Sequence, residues 1–159
     1  MELHQLYDVH QPGDEWQEED RAARAAVEGW QARVGGKVIS GSPKPYNDSR
    51  GPLVIIESPY SGDVARNSEY ARACLLDSLR RGEAPIASHL LHTQVLDDLR
   101  PDERELGIEA GLAWYRVAEK CVVYVDLGMS RGMAEGVARA RSHGVQVEYR
   151  RLAAWRVAA

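Results

Sequence analysis

Features that define several large protein classes are missing from this sequence of 159 residues. No apolar run approaches the roughly 20 residues needed to cross a bilayer. The N-terminus MELHQLYDVHQ is polar and lacks the apolar segment of a signal peptide. Lys and Arg number 20 against 24 Asp and Glu, and a net charge of −4 provides no basic surface for nucleic acid or an anionic membrane. We therefore expect a cytoplasmic protein with no nucleic-acid and no membrane partner.

Cysteines and cofactor motifs are scarce as well. Cys74 and Cys121 both lie in apolar patterns, which favours buried free thiols in a reducing compartment over a disulfide between them. His89 and His92 have no third His, Cys or well-placed acid nearby in sequence, so a zinc site is not predicted. The glycines within residues 128–136 lack the G-x-G-x-x-G spacing, and no Walker A sequence occurs. We expect no metal and no organic cofactor.

From Leu53 onward the chain alternates short apolar runs with helical patterns. Strands are predicted at 53–56, 84–88, 121–125 and 145–149, and helices at about 67–82, 101–117 and 130–143. Asn67 or Ser68 is the expected N-cap of the first of these helices. Leu106, Ala110, Ala113, Trp114 and Val117 keep helical spacing in the second. The alternation predicts an α/β fold with a doubly wound, mainly parallel sheet, that is, a flavodoxin/Rossmann-like three-layer architecture.

The first fifty residues do not follow this alternation. Acids precede arginines over Asp14–Val34, and Gly35-Gly36 follow, so a helix is predicted there, with Trp16, Val27 and Trp30 near one stripe. A short strand at 37–40 and a turn-rich connector, GSPKPYNDSRGP, come next. We divide the chain into an N-terminal extension and linker (1–50), an α/β domain (51–152) and a C-terminal tail (153–159).

Polar groups follow three of the predicted strands, and parallel strands bring such groups to one edge of the sheet. The ligand-binding candidates are Glu57, Tyr60, Ser61, Gly62, His89, Gln94, Ser130, Gly132 and Met133. Tyr60 is a stacking surface for a nucleobase or sugar, and Glu57 is a hydrogen-bond acceptor. Ser130 is a good N-cap, and the helix start behind it can accept an anion. Ordinary turns with solvated side chains are the alternative for each segment.

Three segments together resemble the nucleoside 2-deoxyribosyltransferase-like family and its small, often phage-encoded relatives of unassigned function. They are LVIIESPYSGD, APIASHLLHTQ and VVYVDLGMSRGMAEGVARA, within a resemblance that spans about Leu53 to Leu152. The third is the most specific, because these enzymes have an acid, a Gly/Ser turn, a Gly-Met or Gly-Thr type pair and then a catalytic Glu. The resemblance implies a glycosyl-enzyme intermediate on that Glu, followed by hydrolysis or transfer, and a homo-oligomer.

Carried over to this chain, the resemblance implies catalytic roles for Asp126, which orients the sugar or base, and for Glu135. The expected nucleophile position differs, however. Aligning Gly132-Met133 with the family pair places Ala134 where the Glu is expected, and Glu135 one residue later. One residue rotates a helix by roughly 100°. Either a shifted helix start restores Glu135, or another acid such as Glu57 replaces it, or the nucleophile is absent.

Two functions are therefore expected. The first is action on the N-glycosidic bond of a (deoxy)nucleoside or its 5′-monophosphate, as a hydrolase or transferase. The alternative is a non-catalytic protein that binds a nucleotide in order to sense or sequester it. An interaction module that uses the N-terminal extension is a third class.

Overall fold

The structure is a computed structural model that describes residues 14–33, 51–152 and 155. It contains two units, residues 1–43 and 44–159. In the first unit, helix α1 spans Asp14–Arg33 and agrees with the helix predicted from the early acids and late arginines. The side chain of Trp16, the strand predicted at 37–40 and residues 41–50 of the connector lie outside the described residues. No helix in the described ranges is long and apolar enough to cross a membrane.

The second unit is built on a four-stranded, fully parallel sheet. Its strands are β1 (Leu53–Glu57), β2 (Ala84–Ile86), β3 (Lys120–Tyr124) and β4 (Gln146–Arg150), in the order β2-β1-β3-β4. The helices are α2 (Val64–Arg80), α3 (Ser88–Leu91), α4 (Pro101–Ala113) and α5 (Arg131–Ser142). Short 3₁₀ helices follow α3 at His92–Gln94 and α4 at Trp114–Arg116. This confirms the predicted α/β class.

Helices cover both faces of the sheet, as expected for a three-layer fold. On one face, Ile55, Cys121 and Val123 pack in a core cluster with Met133 and Val137 of α5. On the other face, a cluster of Val54, Ile56, Val122, Tyr124 and α2 residues includes Tyr70 and Cys74. Successive strand residues alternate between the two faces, so the near-continuous apolar runs in the sequence are explained by burial on both sides.

Element boundaries follow local chemistry, with two corrections. The strand predicted at 84–88 ends at Ile86, because Ser88 already begins α3. Ser130 caps α5 as predicted, because its Oγ accepts the Met133 N–H at 3.2 Å. Gly144, with φ of 69°, follows the end of the same helix, as predicted for a left-handed glycine cap. The N-cap prediction for α2 was wrong: Asp63 is the N-cap and accepts the Arg66 N–H at 3.1 Å, whereas Asn67 lies inside the helix.

The spacing of α4 predicted a helix but not which side it buries. Leu106, Trp114 and Val117 are 60%, 46% and 56% exposed, and Ala110 and Ala113 are exposed too. The residues that face inward are instead Gly111 and, one turn later, Tyr115. This segment therefore presents apolar side chains to solvent.

A buried ion pair ties the end of β4 to the turn that precedes β2. Arg150 donates from Nη1 and Nη2 to the two carboxylate oxygens of Glu83, at 2.8 and 2.7 Å. Both side chains are only 6% exposed. Ser78 and Lys120 also donate to this carboxylate, and with Arg150 they hold the pKa of Glu83 down at about 2.

Candidate functional site

The sheet has a topological switch point between β1 and β3. After β1 the chain crosses by α2 to β2 on one side, and after β3 it crosses by α5 to β4 on the other side. Loops that leave neighbouring strands in opposite directions open a crevice at their carboxyl ends, where open α/β sheets bind ligands. A pocket lies at this place, between the β1 loop, α3, α4 and the start of α5.

Most of the sequence-predicted residues meet in this pocket. Its lining includes eight of them: Glu57, Tyr60, Ser61, His89, Ser130, Gly132, Met133 and Glu135. The β1 loop that carries Tyr60 and Ser61 is held by Asn67, whose Nδ2 donates to the two carbonyl oxygens at 3.0 and 2.9 Å. Asn67 therefore shapes the pocket loop from within α2.

Three predicted residues do not belong to the pocket lining in the described part of the chain. Asp126 lies after β3 and accepts, through Oδ2, the Tyr70 hydroxyl at 2.6 Å and the Leu152 N–H at 3.0 Å. Gln94 is exposed, and its Nε2 donates to the Leu90 carbonyl. Gly62 is an exposed turn residue with φ of 95°. Asp126 thus ties the C-terminal segment to α2 on the opposite face of the sheet.

Glu57 is the most perturbed acid of the pocket. It ends β1, and burial raises the pKa of its carboxyl to about 7, partly offset by the Tyr115 hydroxyl that donates to Oε1 at 2.6 Å. No salt bridge to Glu57 occurs among the described residues. A carboxyl that is half ionised near neutral pH suits proton transfer or nucleophilic attack.

Helix α5 approaches the Glu57 carboxyl at Gly136. A Cβ added to Gly136 would lie 2.1 Å from Glu57 Oε1, far inside contact distance. Only glycine leaves room at this helix position for the carboxyl group. The glycine therefore belongs to the site although it carries no functional group.

His89 is the second perturbed group of the pocket. Its Nε2 shares a hydrogen bond of 2.9 Å with the Oγ of the buried Ser58, and its ring meets Tyr60 edge-on with centroids 6.2 Å apart. Burial lowers the pKa of His89 to about 4, so the imidazole is neutral at pH 7. A neutral ring can accept or donate a hydrogen bond to an uncharged ligand without adding charge.

At the start of α5, the structure assigns different positions to Ala134 and Glu135. Ala134 is exposed and absent from the lining of the pocket, whereas Glu135 lies at its rim. The Glu135 side chain is 44% exposed and accepts from Arg131 Nε at 3.1 Å, one helical turn away. Glu135 therefore reaches the pocket as a partly solvated, paired carboxylate.

The pocket lining carries more negative than positive formal charge. Its acids are Glu57, Asp98, Glu103 and Glu135, and its one arginine, Arg104, is paired with Asp98. Within residues 14–33, 51–152 and 155, no cluster of three His, Cys, Asp or Glu side chains has the geometry to hold a metal ion. The arrangement suits a neutral ligand, or one that develops positive charge.

Sequence reasoning missed several residues of the site. Ser58 was placed in the β1 loop but given no role, Gly136 was considered only for a dinucleotide motif that its spacing excludes, and Tyr115 was not considered. A tyrosine within the last turn of an apolar helix is a weak signal, since its buried hydroxyl must find a partner. No local signal marks Gly136, because its importance depends on Glu57, 79 positions earlier in the sequence.

A family model described as "Domain of unknown function (DUF7768)" matches residues 52–150. The match includes the whole sheet and every residue of the pocket lining. A search of curated proteins finds no match.

Proposed function

The chain belongs to the family of the domain of unknown function DUF7768, and we propose that its pocket binds a (deoxy)nucleoside and cleaves the N-glycosidic bond. The observation that carries this proposal is Glu57. It is a partly buried carboxyl at the switch point of the sheet, in contact with the pocket, and desolvation raises its pKa to about 7. The resemblance of three segments to nucleoside 2-deoxyribosyltransferases supplies the reaction class.

In the proposed reaction, the ionised Glu57 carboxylate attacks the anomeric carbon of the sugar. The new C–O bond forms as the bond to the base nitrogen breaks, and the bonding electron pair leaves with the base, which then takes up a proton. Water or a second base next attacks the glycosyl ester and frees Glu57. The transition state resembles an oxocarbenium ion, which a carboxylate stabilises directly.

The charges of the pocket bear on the form of the substrate. Asp98, Glu103 and Glu135 are each paired with an arginine, and the one arginine of the lining, Arg104, is engaged by Asp98. The lining therefore offers no unpaired arginine to a phosphate, whereas an ionised Glu57 favours an oxocarbenium-like centre. The first turn of α5 still offers backbone N–H groups for a hydroxyl or phosphate oxygen, beside Ser130 and Gly132. We therefore propose the nucleoside as the preferred substrate and the 5′-monophosphate as the weaker one.

Two observations favour a second candidate, a non-catalytic binder of the same ligands. Asp126, expected to orient the substrate, is engaged by Tyr70 and Leu152, and Glu135, expected as nucleophile, is paired with Arg131 at the rim. If Glu57 does not act as nucleophile, no unpaired acid of the expected kind remains near the start of α5. Base release decides between the two functions.

The test combines binding and turnover. A thermal-shift screen against nucleosides and their 5′-monophosphates detects any ligand that stabilises the folded state, which amounts to about 2.7 kcal/mol at 100 times Kd. Release of free base is then measured by chromatography for the wild type, Glu57→Gln and Glu135→Gln. We expect Glu57→Gln to lower release at least about 100-fold and Glu135→Gln to retain most of it. Binding without base release by the wild type supports the non-catalytic binder. Greater loss of base release in Glu135→Gln than in Glu57→Gln assigns the chemistry to Glu135.

We further propose that the protein is a homo-oligomer, as the resemblance implies. Apolar side chains between α3 and α4 are strongly exposed: Leu91 by 56%, Val95 by 82%, Leu99 by 92% and Leu106 by 60%. Apolar surface of this kind beside a pocket is typical of an interaction site. Light scattering coupled to gel filtration measures the mass, and a monomer at all concentrations contradicts this part of the proposal.

A further inference from the structure

The geometry around Glu57 points to a specific role for a residue that does not line the pocket. Given the role proposed above for Glu57, we propose that Tyr115 is its positioning residue, which fixes Oε1 and leaves Oε2 as the oxygen that meets the ligand. Tyr115 touches no ligand itself. It lies in the 3₁₀ helix between α4 and β3.

The Tyr115 ring is buried in the core. The residue is 1% exposed and belongs to the core cluster that contains Met133 and Val137 of α5. Its Oη donates to Glu57 Oε1 at 2.6 Å, a short bond of the kind made between a hydroxyl and a carboxylate. Packing in the core restricts the ring to one orientation, which aims its hydroxyl at Glu57.

A third residue, Cys121, also contacts the Tyr115 hydroxyl. Cys121 Sγ lies 3.4 Å from Tyr115 Oη, and burial raises the pKa of the Cys121 thiol to about 12. The thiol is therefore protonated at neutral pH and can donate to the phenol oxygen. The phenol has a single proton, and the carboxyl is its stronger acceptor, so donors run from Cys121 through Tyr115 to Glu57.

The two carboxyl oxygens of Glu57 have different surroundings. Oε1 accepts from Tyr115 and lies against the backbone of α5 at Gly136, where an added Cβ would be 2.1 Å away, compared with 3.0 Å for Oε2. In the described part of the chain, Oε2 has no hydrogen-bond partner, and the one buried polar side-chain atom without a partner is Trp155 Nε1. Oε2 is therefore not sealed in the protein and is open to the pocket.

Tyr115→Phe is the substitution that tests this role, because it removes the hydroxyl and keeps the ring. The pKa of Glu57 is raised by burial and lowered by the hydrogen bond from Tyr115, so loss of that donor leaves burial unopposed. The uncharged Gly136 packs against the carboxyl, and the titratable groups that share its pocket include His89 and Glu135. We expect the pKa of Glu57 to rise further by about one pH unit or more, as for loss of a hydrogen bond to a charged group. A matched control is Tyr124→Phe, since Tyr124 is equally buried and donates to Asp77 instead.

The primary readout is a carbon-13 NMR titration of the Glu57 carboxyl in the full chain without ligand. The expected result is a midpoint near 7 in the wild type and in Tyr124→Phe, and a higher midpoint in Tyr115→Phe. An unchanged midpoint in Tyr115→Phe, or an equal rise in Tyr124→Phe, overturns the proposal. If Tyr115→Phe does not fold, Cys121→Ala takes its place. We then expect a smaller rise in the midpoint of Glu57, and an unchanged midpoint would contradict the hydrogen-bonded series from Cys121 through Tyr115 to Glu57.

Turnover gives the second readout and separates this proposal from the proposed function. In a glycosidase, Tyr115→Phe should lower kcat about fivefold or more at pH 7, because a pKa one unit higher leaves roughly a tenth of the Glu57 carboxyls ionised instead of half. KM should change little, and the acid limb of the pH profile should move to higher pH. Equal losses in kcat at every pH contradict the positioning role. If the wild type releases no base, the proposed function fails, while the titration still decides whether Tyr115 controls Glu57.

Discussion

Replacing Glu57 by glutamine should make the protein more stable at alkaline pH. The folded state raises the pKa of this carboxyl from its ordinary value of 4.5 to about 7. The folded protein therefore binds the proton more tightly than the unfolded chain does. The contribution of Glu57 to stability is full below pH 4.5 and is lost as the pH rises through 7.

The magnitude follows from the distance between the two pKa values. At about 1.4 kcal/mol for each pH unit, the ionisation of Glu57 costs the folded protein about 3 kcal/mol at pH 8 and less than about 1 kcal/mol at pH 5. Glutamine has the shape of the protonated acid and keeps an oxygen that can accept from Tyr115. Glu57→Gln should thus match the wild type closely at pH 5 and exceed its free energy of unfolding by about 3 kcal/mol at pH 8.

Urea unfolding of both proteins at pH 5 and pH 8 measures the difference. Glu135→Gln is the control, because it removes a carboxylate that is 44% exposed and paired with Arg131, and such pairs contribute about 1 kcal/mol or less. Equal stabilities of the wild type and Glu57→Gln at pH 8 would show that the carboxyl is well solvated. That result would refute the argument for its reactivity. A gain in stability on loss of a functional group is typical of an active site.

Two further substitutions test the packing around this core. Gly136→Ala places a methyl group 2.1 Å from Glu57 Oε1 and should lower the free energy of unfolding in urea by about 1–3 kcal/mol. Gly132→Ala is the control, because the nearest atom to its added methyl group is 4.0 Å away, and it should leave the free energy of unfolding unchanged. Equal effects of the two substitutions would contradict the close approach of Gly136 to Glu57. Glu83→Gln removes one of the two carboxylates that pair with the buried Arg150 and should cost about 1–3 kcal/mol, because Glu148 still accepts from Arg150 Nε at 2.7 Å. Because the pKa of Glu83 is held at about 2, the wild type should lose this contribution only as the pH falls from 4.5 toward 2.

The fold was predictable because the information that specifies it is local. Short apolar runs marked the first three strands, and the switch to helical spacing between strands marked a parallel sheet with helices on both faces. Ser130 was recognised as the cap of α5 for the same reason. Asn67 was misread as a cap because a local pattern cannot show that Asp63, four residues earlier, already has the geometry for that role.

The site was predictable only in part, because its geometry depends on which face of the sheet each side chain takes. Side chains at every second position of a strand point to the same face. Asp126 follows Val122 and Tyr124 in this alternation, their side chains pack toward α2, and Asp126 accordingly accepts from Tyr70 of that helix. Glu57 lies two residues after Ile55, so it shares the face of Ile55 and is directed toward α5. Once the switch point was known, the alternation of side chains along a strand could have assigned the two acids to opposite faces of the sheet. Nothing local could have paired Glu57 with Tyr115 or Gly136, which are far away in sequence.

The central claim is that Glu57 reacts with the sugar, and the most direct test is mass spectrometry of the acid-quenched protein after incubation with a 2′-deoxynucleoside. We expect a deoxyribosyl ester on the peptide that contains Glu57, together with release of free base. The adduct should be absent from Glu57→Gln. Base release with the ester on a different residue, Glu135 above all, or undiminished release by Glu57→Gln would contradict it.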